Sequence, residues 1–120
     1  MKKKHILIAE DDAFLVEMMQ TVLLAHGSRV TVAKDGQEAI DAIDRDPPDL
    51  LLLDILMPRV DGFGVLQHLA DQKLHLPVFV ISNLSDKATK DKCKGFAITR
   101  YFVKSDIDDE QLWPIVEKYL

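Results

Sequence analysis

Four places in the chain carry side chains that can act together on one phosphoryl group. They are the acidic run Glu10-Asp11-Asp12, the aspartate Asp54, the hydroxyl of Ser82 and the ammonium of Lys104. Glu10, Asp11 and Asp54 brought together would repel one another, with few basic neighbours in sequence, and at least one pKa would rise. A hard divalent cation relieves that repulsion, and Mg²⁺ favours a site of one or two carboxylates completed by waters and phosphate oxygens. A carboxylate can accept a phosphoryl group as an acyl phosphate. Asp54 is the best nucleophile candidate, because it stands alone at the end of the apolar run Leu50-Leu51-Leu52-Leu53. The cation and Lys104 would hold the charge on the transferring oxygens, and Ser82 would donate to another of them. The set reads as a phosphorylatable aspartate switch.

Taken singly, each signal has a plainer reading. Asp12 is as well placed to cap a helix as to bind a cation. Ser82-Asn83 alone would be a turn, and Lys104 alone a solvated charge. Lys87, Lys90, Lys92 and Lys94 read as a wet helix face, and Cys93 as a small, semi-buried residue. His5, His26, His68 and His75 lack metal-ligand spacing.

The residues become a set only through the elements that must position them. His5 to Ala9, Arg29 to Ala33, Leu50 to Leu53, Val78 to Ile81 and Thr99 to Val103 are short apolar or β-branched runs, read as strands. The four leucines suit a strand buried on both faces, in the middle of a parallel sheet. Between the runs lie helical patterns. The first carries Leu15, Met18, Met19, Val22 and Leu23, and Gly27 is its left-handed cap. A short helix covers Glu38 to Asp44. A third places Phe63, Leu66 and Leu69 on its inner face. A fourth spans Ser85 to Lys94, capped by Ser85 or Asp86. The last starts near Asp108, which has capping-box spacing to Gln111. Alternating strand and helix predicts an α/β fold, a five-stranded parallel sheet doubly wound with helices on both faces. In such sheets ligands sit beyond the carboxyl ends of the strands. Glu10 and Asp11, Asp54, Ser82 and Lys104 follow four of the strands, so one edge should gather them.

Composition sets outer bounds. A chain of 120 residues is one domain, 1–120, with no separate output module expected. Its net charge of −5 gives no reason to expect direct nucleic-acid binding. The single cysteine excludes an internal disulfide and fits a reducing, cytoplasmic setting. The basic start Met1-Lys2-Lys3-Lys4 lacks a following signal-peptide core, and no stretch has the length of a membrane span.

The chain resembles the receiver domain of two-component response regulators over essentially its whole length. The carrying residues are Ile6-Leu7-Ile8-Ala9-Glu10-Asp11-Asp12, Asp54-Ile55-Leu56-Met57-Pro58-Arg59-Val60-Asp61-Gly62, Ser82 and Tyr101-Phe102-Val103-Lys104. The resemblance implies a flavodoxin-like strand order 2-1-3-4-5. It implies Asp54 as phosphoacceptor, with Lys104 and Ser82 on the phosphoryl group. It places Mg²⁺ on Asp11, Asp54 and the Leu56 backbone carbonyl, with Glu10 acting through water. It implies a histidine kinase or phosphotransfer protein as donor. Ser82 and Tyr101 would be the switch pair, altering the surface of the fourth helix, fifth strand and fifth helix for a downstream partner. Such a protein is a phosphoacceptor rather than an enzyme.

Four positions depart from the family pattern. Asn83 replaces the usual small residue after the switch hydroxyl, so it and Leu56 are expected to modulate the lifetime of the phosphorylated form. Ser105 replaces the usual proline, and because a non-proline cis bond costs about 3 kcal/mol the Lys104–Ser105 bond should be trans. Ala97 stands where glycine is common, with Gly95 expected to take over the cap and end the helix early. Pro114 should kink or restart the last helix. Three other readings compete. A receiver-like interaction module that is never phosphorylated would share the fold. An aspartyl-phosphate hydrolase would want a second aspartate where Leu56 stands. A flavin protein would not place acids in the loop after its first strand.

Overall fold

The computed structural model describes residues 3–83 and 87–120. The elements are β1 (His5–Ala9), α1 (Ala13–Ala25), β2 (Arg29–Ala33), α2 (Gly36–Arg45), β3 (Leu50–Asp54), α3 (Gly62–Asp71), β4 (Val78–Ser82), α4 (Lys87–Cys93), β5 (Arg100–Val103), a 3₁₀ turn (Lys104–Asp106) and α5 (Asp109–Glu117). The strands form one sheet in the order β2-β1-β3-β4-β5, every pair parallel.

Alternation along the strands explains the two helical layers. Successive side chains leave a strand on opposite faces. Leu7, Ala9, Leu51, Leu53, Val78 and Val80 enter one core with α2 and α3. Ile6, Ile8, Leu50, Leu52, Phe79 and Ile81 enter the other with α1 and α5. Every residue of β1, β3 and β4 is buried, so these strands are apolar apart from His5, Asp54 and Ser82 at their ends. The edge strands β2 and β5 are only partly covered and accept polar residues.

Polar caps fix where the helices begin. Asp12 accepts from the amides of Phe14 and Leu15 and starts α1. Asp35, Asp61 and Asp108 do the same for α2, α3 and α5. Gly27 adopts φ +84°, the left-handed conformation expected after α1.

Several expectations need correction. The inner face of α3 is built on Val65, Leu66 and Leu69, while Phe63 is only half-buried. Phe63 packs against that core at its rim, stacked on Phe96 with ring centroids 6.3 Å apart and with the Lys92 ammonium 4.1 Å above its ring. Cys93 is fully buried rather than semi-buried, because it is the inward residue of a short, otherwise polar helix. α4 does end early, at Cys93, but Gly95 does not supply a left-handed cap. Among the described residues only Gly27 is a glycine at positive φ, and Gly95 merely continues the turn by donating to the Lys92 carbonyl. The cap expected at Ser85 or Asp86 lies outside the described residues. α2 starts two residues before the expected Glu38, because Asp35 caps it. α5 runs on through Pro114 without restarting there. The Lys104–Ser105 bond is trans, as expected, with no cis peptide among the described residues.

Candidate functional site

Parallel pairing brings the carboxyl ends of β1, β3, β4 and β5 to one edge, in the register Ala9 beside Leu53, Asp54 beside Ile81 and Ser82 beside Val103. Asp54 is the last residue of β3 and is 3% exposed. Glu10 follows β1, donates its amide to the Ala33 carbonyl of β2, and turns its side chain inward to 2% exposure. Ser82 closes β4 and is fully buried. Asp11 is exposed beside this group, and Asn83 is exposed directly after Ser82.

Lys104 ties the edge together. It starts the 3₁₀ turn after β5, and its side chain spans past β4 to reach β3 and β1. Its Nζ donates to Asp54 Oδ2 at 3.1 Å and to Glu10 Oε2 at 2.9 Å. Glu10 Oε2 also accepts from the amides of Asp11 and Asp12, at 3.0 and 2.9 Å. Glu10 Oε1 lies 2.8 Å from the same ammonium but outside hydrogen-bonding geometry, which leaves it a buried acceptor without a donor. Among the described residues, Asp54 Oδ1 accepts a long 3.4 Å contact from the Leu56 amide. Lys104, expected on this edge, is inserted between two of its acids.

The electrostatics follow from burial. Desolvation pushes the Glu10 carboxyl up to about 7; Lys104 and the Asp12 amide pull it back, and the neighbouring Asp54 charge adds to the rise. Desolvation likewise raises Asp54, against the opposing pull of Lys104. Burial pulls the Lys104 ammonium down, but the hydrogen bonds and charges of Glu10 and Asp54 outweigh it, so its pKa is raised. One ammonium does not neutralise three acids. Glu10, Asp11 and Asp54 each present an oxygen within 4.8 Å of the others, a donor set that could hold a cation. This all-oxygen set, with a buried acceptor lacking a donor, fits a hard divalent ion.

Two glycines set the loop that carries Leu56. A Cβ on Gly62 would lie 2.5 Å from the Asp54 carbonyl oxygen, so the start of α3 sits directly against the end of β3. A Cβ on Gly36 would lie 2.0 Å from the Val60 carbonyl oxygen, so the same loop packs on the start of α2. Arg59, at φ 64°, fastens the loop there by pairing with Asp35. Neither residue stood out in sequence. Asp35-Gly36 reads only as a turn, and nothing near Arg59 announces a partner 24 positions away. The Leu56 side chain is 57% exposed. Tyr101, on β5, is half-buried, with the Lys90 ammonium 5.7 Å from its ring centre.

A parallel sheet with acids, hydroxyl and ammonium at successive strand ends defines a class of single-site α/β signalling modules. The chain belongs to the response regulator receiver domain family, whose model matches residues 6–117. It is 40% identical to the response regulator RR06 of Streptococcus pneumoniae over 86 residues, 72% of this chain and 39% of that protein. It is 33% identical to the alkaline phosphatase synthesis transcriptional regulatory protein PhoP of Bacillus subtilis over 87 residues, 72% of this chain and 36% of that protein. The chain thus spans well under half the length of these relatives. Among solved structures, the receiver domain of the Francisella response regulator 1452 superposes with a TM-score of 0.85 at 28% identity, covering 98% of this chain and 97% of that one. The Vibrio cholerae chemotaxis protein CheY4 has the same fold, with a TM-score of 0.88 at 22% identity over 99% of this chain and 100% of that one. The family and the strand order 2-1-3-4-5 agree with the sequence reading. No described helix is long and apolar enough to cross a membrane.

Proposed function

We propose that this receiver accepts a phosphoryl group on Asp54 from the phosphohistidine of a histidine kinase or phosphotransfer protein, and signals the change to a downstream protein. The observation that carries the reading is the Lys104 ammonium, held between the buried Asp54 and Glu10 carboxylates with Asp11 beside them. Glu10, Asp11, Asp54 and the Leu56 carbonyl would hold Mg²⁺, which when bound supplies positive charge against the phosphoryl oxygens.

The chain's own residues account for the remaining chemistry. Asp54 forms the new O–P bond as the donor's P–N bond breaks, and that bond's electron pair stays with the imidazole nitrogen. Oδ1 is the less engaged oxygen, since Oδ2 already receives the Lys104 hydrogen bond. Lys104 stays close to the new acyl phosphate and compensates its charge. Ser82, buried one strand away, donates its hydroxyl to a phosphoryl oxygen. Its movement makes room for Tyr101 and changes the face made by α4, β5 and α5. Asn83 borders the site and sets how readily water attacks the phosphoryl group.

Mg²⁺-dependent incorporation of phosphate from acetyl phosphate, lost in Asp54→Asn, tests the reading, and transfer from candidate kinases tests it more fully. A wild-type chain labelled by neither donor, or an Asp54→Asn chain labelled as well as wild type, would overturn it.

A further inference from the structure

An open groove lies away from Asp54. It opens beside Pro77 and Val78, at the amino end of β4, whereas Ser82 ends that strand on the opposite rim. Its volume is about 510 Å³, within the range of small-molecule sites. Leu66 and Leu69 of α3, with Leu74, Leu76 and Phe96, make its walls apolar. It exists because α4 stops at Cys93, so the segment from Phe96 to Thr99 reaches β5 without a helix over this end of the sheet.

Among the described residues, Lys73 is the one permanently charged side chain in the lining. Lys73 and His75, both exposed, border the groove, and among the described residues no acid lines it, although the chain is acidic overall. The backbone of Lys73 is set by the turn that ends α3. It adopts φ 55°, donating to the Ala70 carbonyl at 3.1 Å, while Leu74 donates to the Leu69 carbonyl at 3.0 Å. This is the left-handed turn that ends a helix, a place usually given to glycine or asparagine. The turn places the Lys73 backbone at the mouth of an apolar groove, with its exposed ammonium within reach of that mouth.

We propose that this groove binds a small amphipathic carboxylate, its aliphatic or aromatic body against Leu66, Leu69, Leu74 and Phe96 and its carboxylate on Lys73. The apolar walls supply the affinity and the cation the orientation. The site is separate from phosphoryl transfer, so it stands or falls without that reading.

The test is a titration of the full chain, without Mg²⁺ or phosphoryl donor, with decanoate, decanol and decylamine, following backbone amide shifts by NMR. Decanoate should shift residues 73–78 and 96–99 saturably. Decanol and decylamine should bind at least about tenfold more weakly, and Lys73→Glu should weaken decanoate by about tenfold while Lys73→Arg retains it. Ala97→Trp, which fills the groove from its exposed side, should abolish binding with the melting temperature kept; Ala70→Phe serves from the other wall if that variant does not fold. Equal binding of all three probes, an unchanged Lys73→Glu variant, or no saturable shift by about 10 mM would overturn the proposal. So would shifts of the same amides on concentrating the protein alone, which would make the groove an interface between two copies.

Discussion

Arg59 grips Asp35 at two points, Nε donating to Oδ2 at 2.9 Å and Nη2 to Oδ1 at 3.1 Å. The same Asp35 Oδ1 accepts the Glu38 amide at 2.8 Å, so one carboxylate both caps α2 and anchors the loop after Asp54. Arg59 and the Glu38 amide together hold the Asp35 carboxyl below its ordinary range. A planar guanidinium makes both contacts, and an ammonium cannot reproduce the fork.

Arg59→Ala is therefore expected to lower the melting temperature and to weaken Mg²⁺ binding several-fold, because the loop bearing Leu56 loses its anchor. Arg59→Lys should restore little of either. Calorimetric titration with Mg²⁺ beside thermal melts checks this. A variant with unchanged Mg²⁺ affinity would confine Arg59 to stability.

Asp11→Ala should melt higher than wild type without metal, since it removes one member of a crowded acidic group. It should also lose the rise in melting temperature that Mg²⁺ gives wild type by mass action. A full Mg²⁺ response in this variant would refute the ligand assignment.

The pH dependence of the metal-free fold follows from Glu10. Its folded pKa, about 7, lies above its ordinary 4.5, so its contribution to stability is complete below pH 4.5 and is lost as the pH rises through 7. Asp54, also raised, acts in the same direction. His5 opposes them. Its imidazole is held below 6.5, first by burial and then by Arg29, so its contribution falls as the pH drops below 6.5. The difference between wild type and Glu10→Gln isolates the first effect. Denaturant melts from pH 4 to 8 should show the variant losing less stability than wild type as pH rises, and parallel curves would contradict the assignment.

Asn83→Ala should change the lifetime of the acyl phosphate. Asn83 is exposed beside the buried Ser82, where its amide can crowd the phosphoryl group or orient the attacking water. Decay of labelled protein after donor removal measures it, and identical rates would remove Asn83 from the account.

Much of this molecule is legible in the order of its residues. The apolar and β-branched runs locate all five strands to within a residue: the three central ones because strands buried on both faces admit almost nothing polar, the two edge ones through their β-branched and aromatic residues. Alternation with helical spacing then gives the layers, and parallel direction alone brings Glu10, Asp54, Ser82 and Lys104 to one edge. Gly27 and the caps Asp12 and Asp108 could be read because capping depends on local backbone geometry.

What stayed hidden depends on contacts between elements distant in sequence. Nothing local says that Lys104 reaches past β4 to bind Asp54 and Glu10 together, since that needs the strand order and the side-chain path at once. Nor does anything local pair Arg59 with Asp35, stack Phe63 on Phe96 at the rim of the core, or open an apolar groove bordered by Lys73 at the amino end of β4. Periodicity sets which residues face inward and in what order the elements come. Which inward or rim groups meet, and at what distance, is settled only when separate segments pack, because charge and packing energies depend on separations that sequence spacing does not encode.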